Sequence, residues 1–181
     1  MFRALSLSLL LTGCAHLPTE SPEQIAHKAT HLLTFDGGDT CSGTMIAPTV
    51  VLTASHCLRA PLVLVGMTPV NVLKVEKDGA DHAWLTIDAP FEHTAPMGAE
   101  PAQGDEVFIY GNPGEQRDML RRGYMSGTDG LLMVFDLPVS FGDSGAAIFN
   151  TKGEVVGMVM GFKLYPSGMQ MTASGRFGTK A

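Results

Sequence analysis

Charge is scarce in this chain: Asp, Glu, Lys and Arg make up 17% of its 181 residues, against 45% hydrophobic residues. That balance excludes an extended, self-repelling polymer and leaves ample apolar material for a packed core. Basic clusters are missing too. The formal charge is −6, and the lone basic pair, Arg121-Arg122, reads as a solvated turn or strand edge. General nucleic-acid binding is therefore excluded. No long apolar run is present, because Ala4–Thr12 is too short to span a bilayer as a helix. Helical periodicity is confined to about Glu23–Leu32. There His27 and His31 stand four apart, but Lys28 occupies the place where a zinc-binding helix of this kind needs glutamate. They read as solvated histidines, and neither metal nor cofactor is expected.

Cysteine is rare as well, and its count of three is odd. Met1-Phe2-Arg3 followed by the apolar Ala4–Thr12 has the order of an export signal. The run ends in Leu11-Thr12-Gly13-Cys14, which resembles a bacterial lipobox. The resemblance implies that residues 1–13 are removed and that Cys14 carries a diacylglycerol. The alternative is an ordinary secretory signal with an incidental cysteine. If Cys14 is lipidated, Cys41 and Cys57 remain as a natural pair, and an oxidising compartment would let them bridge. Two or three acyl chains on Cys14 would anchor the protein stably. The expectation is an exported protein of the cell envelope or periplasm, held to a membrane by its lipid.

What is abundant is turn chemistry, with 21 glycines and 11 prolines. Ala15 to about Gln24 is polar and reads as a flexible tether, so residues 14–30 are set apart from the fold. From His31 short apolar runs alternate with turns such as Asp36-Gly37-Gly38-Asp39. Runs at His31–Phe35, Thr40–Ile46, Val50–Ala54, Leu62–Val65, Val70–Val75 and Ala83–Ile87 form one β unit, residues 31–92. A stretch rich in proline and small residues gives a linker at 93–104. The rhythm resumes in residues 105–181, at Glu106–Tyr110, Arg122–Ser126, Leu131–Phe135, Ala146–Phe149, Val155–Gly161 and Met169–Ala173. This predicts an all-β protein of two units with six strands each.

Three segments carry chemistry. They are Thr53-Ala54-Ser55-His56-Cys57, Asp81-His82-Ala83-Trp84-Leu85 and Gly142-Asp143-Ser144-Gly145. Together, and in the order His, Asp, Ser, they resemble the chymotrypsin-like serine peptidases, over about Thr34 to Met160. The resemblance implies two six-stranded antiparallel β-barrels with the active site in the cleft between them. It also implies a Cys41–Cys57 disulfide bracing the histidine loop, from the sixteen-residue interval. His56 would take the proton of Ser144 and return it to the leaving amine, while Asp81 holds the imidazole. The backbone N–H groups of Gly142 and Ser144 would form the oxyanion hole. The pocket would be built on Pro138, six residues before the serine, with Phe141 and Phe162. Proline offers no charge to bind Arg or Lys, so an apolar pocket is expected.

Some positions depart from the family pattern. His82 stands where an apolar residue is usual. No I-V-G-G tetrapeptide precedes Cys41, so activation by a new amino terminus is not expected, and Asp143 is left needing another partner. The reading is a monomeric serine endopeptidase acting on proteins or peptides. An inactive binding lipoprotein and an esterase using the same triad are the alternatives.

Overall fold

The computed structural model describes residues 20–177, so the signal segment and Cys14 lie outside the described residues. The polar lead-in gives way early to helix. Ser21 caps helix α1 (Pro22–Ala29) through a reciprocal pair with Gln24, and Pro22 opens the first turn without wasting a donor. Ala26 and Ala29 turn inward and are fully buried. The helix stops at Ala29, so His31 falls on a strand and shares no helix face with His27.

The rest is β-structure. The first half contains β1 (Thr30–Phe35), β2 (Thr40–Ala47), β3 (Val50–Ala54), β4 (Leu62–Val65), β5 (Thr68–Pro69), β6 (Val72–Lys77) and β7 (His82–Ile87). The second contains β8 (Glu106–Gly111), β9 (Met119–Asp129), β10 (Leu132–Asp136), β11 (Ala147–Asn150), β12 (Val155–Met158), β13 (Gly161–Leu164) and β14 (Gln170–Gly175). Each half is an antiparallel sheet of seven strands, ordered β5-β4-β1-β2-β3-β7-β6 and β12-β11-β8-β9-β10-β14-β13. Six strands per unit was one too few, for a different reason in each half. In the first, Thr68–Pro69 forms a two-residue strand against β4. In the second, the run Val155–Gly161 changes partner midway. Val159 N–H still bonds to Ala146 beside β11, but Met160 N–H bonds to Ala173 on β14, and β13 follows at Gly161–Leu164, sharing only Gly161 with that run.

The β1–β2 turn falls at Asp36–Asp39, where Gly37 and Gly38 both take φ near +90°, a conformation that costs other residues more. The two halves share their packing. Phe108, Ala147, Phe149, Val155 and Met158 join the buried cluster of the first sheet, and Phe108 stacks on Phe149 at 5.5 Å. The stretch 93–104 is pinned across both sheets. Ala95 N–H bonds to Met45 of β2, and Gly98 N–H bonds to Val155 of β12. No helix among the described residues is long and apolar enough to cross a membrane.

Candidate active site

The register of β3 against β7 sets the first half of the site. Ala54 pairs with His82, so the residues that follow β3 lie beside those that precede β7. Ser55 N–H bonds to the Asp81 carbonyl at 2.7 Å. The Asp81 carboxylate then gathers three donors: Ser55 Oγ at 2.8 Å, His56 N–H at 3.0 Å and His56 Nδ1 at 2.7 Å. Both carboxylate oxygens are used, which fixes the plane of the imidazole and leaves its Nε2 edge for the cleft. Asp81 adopts φ 68°, a left-handed conformation uncommon outside glycine. Cys57, next to His56, is disulfide-bonded to Cys41 at the start of β2, with Cα atoms 6.4 Å apart.

Ser144 sits on the turn before β11. Ser42 N–H bonds to its carbonyl at 2.8 Å, tying the turn to the first sheet. Asp143, Gly145 and Ala146 donate their N–H groups to Ser140, Val159 and Asp143. The N–H groups of Gly142 and Ser144 bond to none of the described residues, so both are free to serve an oxyanion. Gly142 has φ 97°, and a Cβ there would come within 2.4 Å of the Asn112 carbonyl. Glycine is required by both conformation and space.

Ser42, to which the sequence reading gave no role, ties three of these elements together. The Ser42 hydroxyl donates to the Gly142 carbonyl at 2.9 Å and accepts from Asn112 N–H at 3.1 Å and Asn112 Nδ2 at 2.9 Å. One donor and two acceptor positions are all a hydroxyl has, so Ser42 is saturated. Its place between Cys41 and Gly43 was the only signal that could have pointed to it.

Arg121 and Asp143 correct a second reading. Arg121 lies on β9, only 17% exposed, and is not a solvated edge residue. Its guanidinium makes parallel bonds of 2.6 Å to both oxygens of the fully buried Asp143. This is the partner that Asp143 lacked. Arg122 does face solvent, bridging Glu23 and Glu106.

His56 and Ser144 line one open cleft of about 490 Å³, together with Phe35, Cys41, Val139, Phe141 and Phe162 among others. Phe141 is 81% exposed, and its ring meets Phe162 edge-on at 6.1 Å. Pro138 is not among the residues that line this cleft. Its carbonyl instead lies 3.4 Å from Arg121 Nη1, on the side of the buried ion pair. Val139 takes its place in the wall, held by Gln170 Nε2 on the Val139 carbonyl at 2.7 Å. No group of metal-binding side chains occurs among the described residues.

The family model of the trypsin-like peptidase domain matches residues 41–158, more than half of the chain. The chain belongs to the trypsin-like peptidase family. The match begins at the disulfide cysteine and ends at the last residue of β12.

No curated protein matches the chain. Among solved structures, the active form of the Rv3671c protease from M. tuberculosis is 18% identical with a TM-score of 0.71, covering 97% of this chain and 89% of that one. The serine endoprotease from Yersinia pestis is 22% identical with a TM-score of 0.72, covering 89% of this chain and 64% of that one. The MamO protease domain from Magnetospirillum magneticum is 18% identical with a TM-score of 0.63, covering 84% and 93%. At such identities the likeness is one of fold. An all-β, chymotrypsin-like arrangement of two sheets is common to all of them.

Proposed function

We propose that this trypsin-like peptidase is an active serine endopeptidase with His56, Asp81 and Ser144 as its triad. The observation that carries the proposal is the His56 Nδ1–Asp81 Oδ2 bond of 2.7 Å beside a cleft that Ser144 also lines. A serine hydroxyl attacks a carbonyl only if a base accepts its proton as it does so. His56 Nε2 takes that proton, and Asp81 stabilises the resulting imidazolium. The carbonyl oxygen becomes an oxyanion, received by the unbonded N–H groups of Gly142 and Ser144. His56 then protonates the leaving amine, giving an acyl-enzyme. Water, deprotonated by the same imidazole, attacks that ester and restores Ser144. No hydrogen bond joins Ser144 Oγ to His56 among the described residues, and such bonds often form only once substrate closes the cleft.

The apolar cleft wall of Val139, Phe141 and Phe162 favours an uncharged side chain on the acyl side of the bond. The buried Arg121–Asp143 pair supports a site formed without a cleaved terminus, because the cation is built into β9. Export and a lipid on Cys14 are part of the same proposal, resting on the sequence of residues 1–14.

The test is covalent labelling by a fluorophosphonate of protein made in an oxidising compartment, with Ser144→Ala and His56→Ala alongside. Labelling that maps to Ser144 and is absent from both variants is the expected result. A folded, disulfide-bonded protein that takes no label would overturn the proposal and leave the inactive binding protein. A simple ester hydrolysed where a peptide library is left intact would instead identify an esterase.

A further inference from the structure

His82, the departure from the family pattern, forms a second His–Asp pair one residue away from Asp81. Its side chain is fully buried, and Nδ1 lies 2.6 Å from Asp78 Oδ2. The other Asp78 oxygen accepts from Ala80 N–H at 2.8 Å and His82 N–H at 3.3 Å. One carboxylate thus meets donors from Ala80 and His82, the two residues that flank Asp81. Nε2 of His82 is buried without a hydrogen-bond partner among the described residues, so the proton belongs on Nδ1, where it is donated to Asp78. The ring packs 4.4 Å from Phe177, beyond the end of β14. Gly175, the last residue of β14, presses so close to the loop that a Cβ would lie 2.5 Å from the Ala80 carbonyl.

This loop has specific work to do. Gly79 and Asp81 both adopt left-handed backbone, at φ 76° and 68°. Aspartate accepts that conformation at a cost, so surrounding contacts must hold it. The pairing of Ala54 with His82 places the loop directly against the turn that carries His56. Whatever fixes residues 78–82 therefore fixes the carboxylate facing the imidazole.

We infer that Asp78 and His82 are positioning residues, a buried pair that holds Asp81 in register with His56 and is covered by Phe177 from the second half of the chain. They touch no reacting atom. Their effect on turnover rests on the peptidase reading above, whereas their effect on the His56–Asp81 hydrogen bond does not.

The experiment compares His82→Leu, which fills the space but cannot donate, with His82→Asn, whose amide can donate to Asp78. Two readouts are taken on the full chain: the rate of fluorophosphonate labelling, and the downfield proton NMR resonance of His56 Nδ1–H. Misplacing a catalytic group by about 1 Å can cost about 100-fold, so labelling of His82→Leu should slow by roughly 10- to 100-fold. Its downfield resonance should shift or broaden, and His82→Asn should recover both to within about threefold. Asp88→Asn, at an exposed carboxylate bonded to Asn71, serves as the control and should change neither. Should His82→Leu fail to fold, Asp78→Asn keeps the volume and removes the charge, and the same losses are expected. A folded His82→Leu or Asp78→Asn protein with unchanged resonance would overturn the inference. If wild type shows the resonance but takes no label, the peptidase reading fails and the positioning role is still decided by the NMR.

Discussion

Arg121 grips Asp143 from below the turn that carries Ser144, with two parallel bonds of 2.6 Å between guanidinium and carboxylate. The same carboxylate accepts Ser140 N–H at 2.8 Å, so it also shapes the chain leading into Gly142. Gly111 of β8 leaves the room this requires, because a Cβ there would stand 2.2 Å from Asp143 Oδ1. In animal members of the family a newly cut amino terminus meets the corresponding aspartate. Here a strand residue, Arg121 of β9, supplies the cation.

Arg121→Met should therefore be severe. It leaves a fully buried carboxylate with no cation, and breaking a buried pair in this way typically costs about 3–5 kcal/mol. Arg121→Lys should recover only part of this, because a point charge cannot reproduce the fork across both oxygens. Urea unfolding checks the stability and fluorophosphonate labelling checks the site. Wild-type stability in Arg121→Met would show that the ion pair does not hold the turn.

These contacts show where legibility in the sequence ends. Thr53–Cys57 and Gly142–Gly145 could be read because their chemistry needs particular residues at neighbouring positions. Strands could be read because turns and apolar runs alternate locally. The supports could not. Arg121 reaches Asp143 across 22 positions, and Ser42 reaches Gly142 across 100, with no pattern linking them. The change of partner at Val159–Met160 is hidden within one apolar run. Pro138 was assigned by counting back from Ser144, whereas the cleft is lined by the next residue, Val139. Only His82 announced itself, as a polar residue where an apolar one was expected.

Ser42→Ala should impair the site more than the fold. Removing the hydroxyl strands the buried Asn112 amide and frees the Gly142 carbonyl, each previously satisfied at 2.9 Å. A buried polar group left unpaired costs about 1–3 kcal/mol. Because the bond runs to the oxyanion turn, labelling of Ser144 should slow by about 10- to 100-fold. Ser42→Thr keeps the hydroxyl and should retain more activity. Equal labelling by Ser42→Ala and wild type would show that the turn is held without it.

The disulfide supports the histidine side in the same manner. Cys41 precedes Ser42 and Cys57 follows His56, so the bridge joins the start of β2 to the turn that carries His56. On the chain-entropy account, removing a bridge that closes a loop of this size costs about 3 kcal/mol. Replacing both cysteines with alanine should lower the urea midpoint by a corresponding amount. Reductant should lower that of wild type alike and leave the double variant unmoved. A reductant effect on the double variant would point to some other thiol.

His31 makes stability depend on pH. Burial is the main reason its pKa lies below the ordinary 6.5; Asp118 opposes the shift, and electrostatic interaction with His27 and His93 adds to it. Its ring packs 5.0 Å from Phe91, and Nε2 is buried without a hydrogen-bond partner among the described residues, so the folded protein favours the neutral form. The unfolded chain takes up the proton near 6.5, before the folded protein does. Below that pH the unfolded state binds more protons, so stability is fully present above about 6.5 and declines as pH falls towards the lowered folded value. His31→Gln removes the titrating group. Between about pH 7.5 and 5.5, wild type should lose more stability in urea than His31→Gln loses, while other groups affect both alike. Equal losses in the two proteins would mean that His31 gains its proton as readily in the fold as in the unfolded chain.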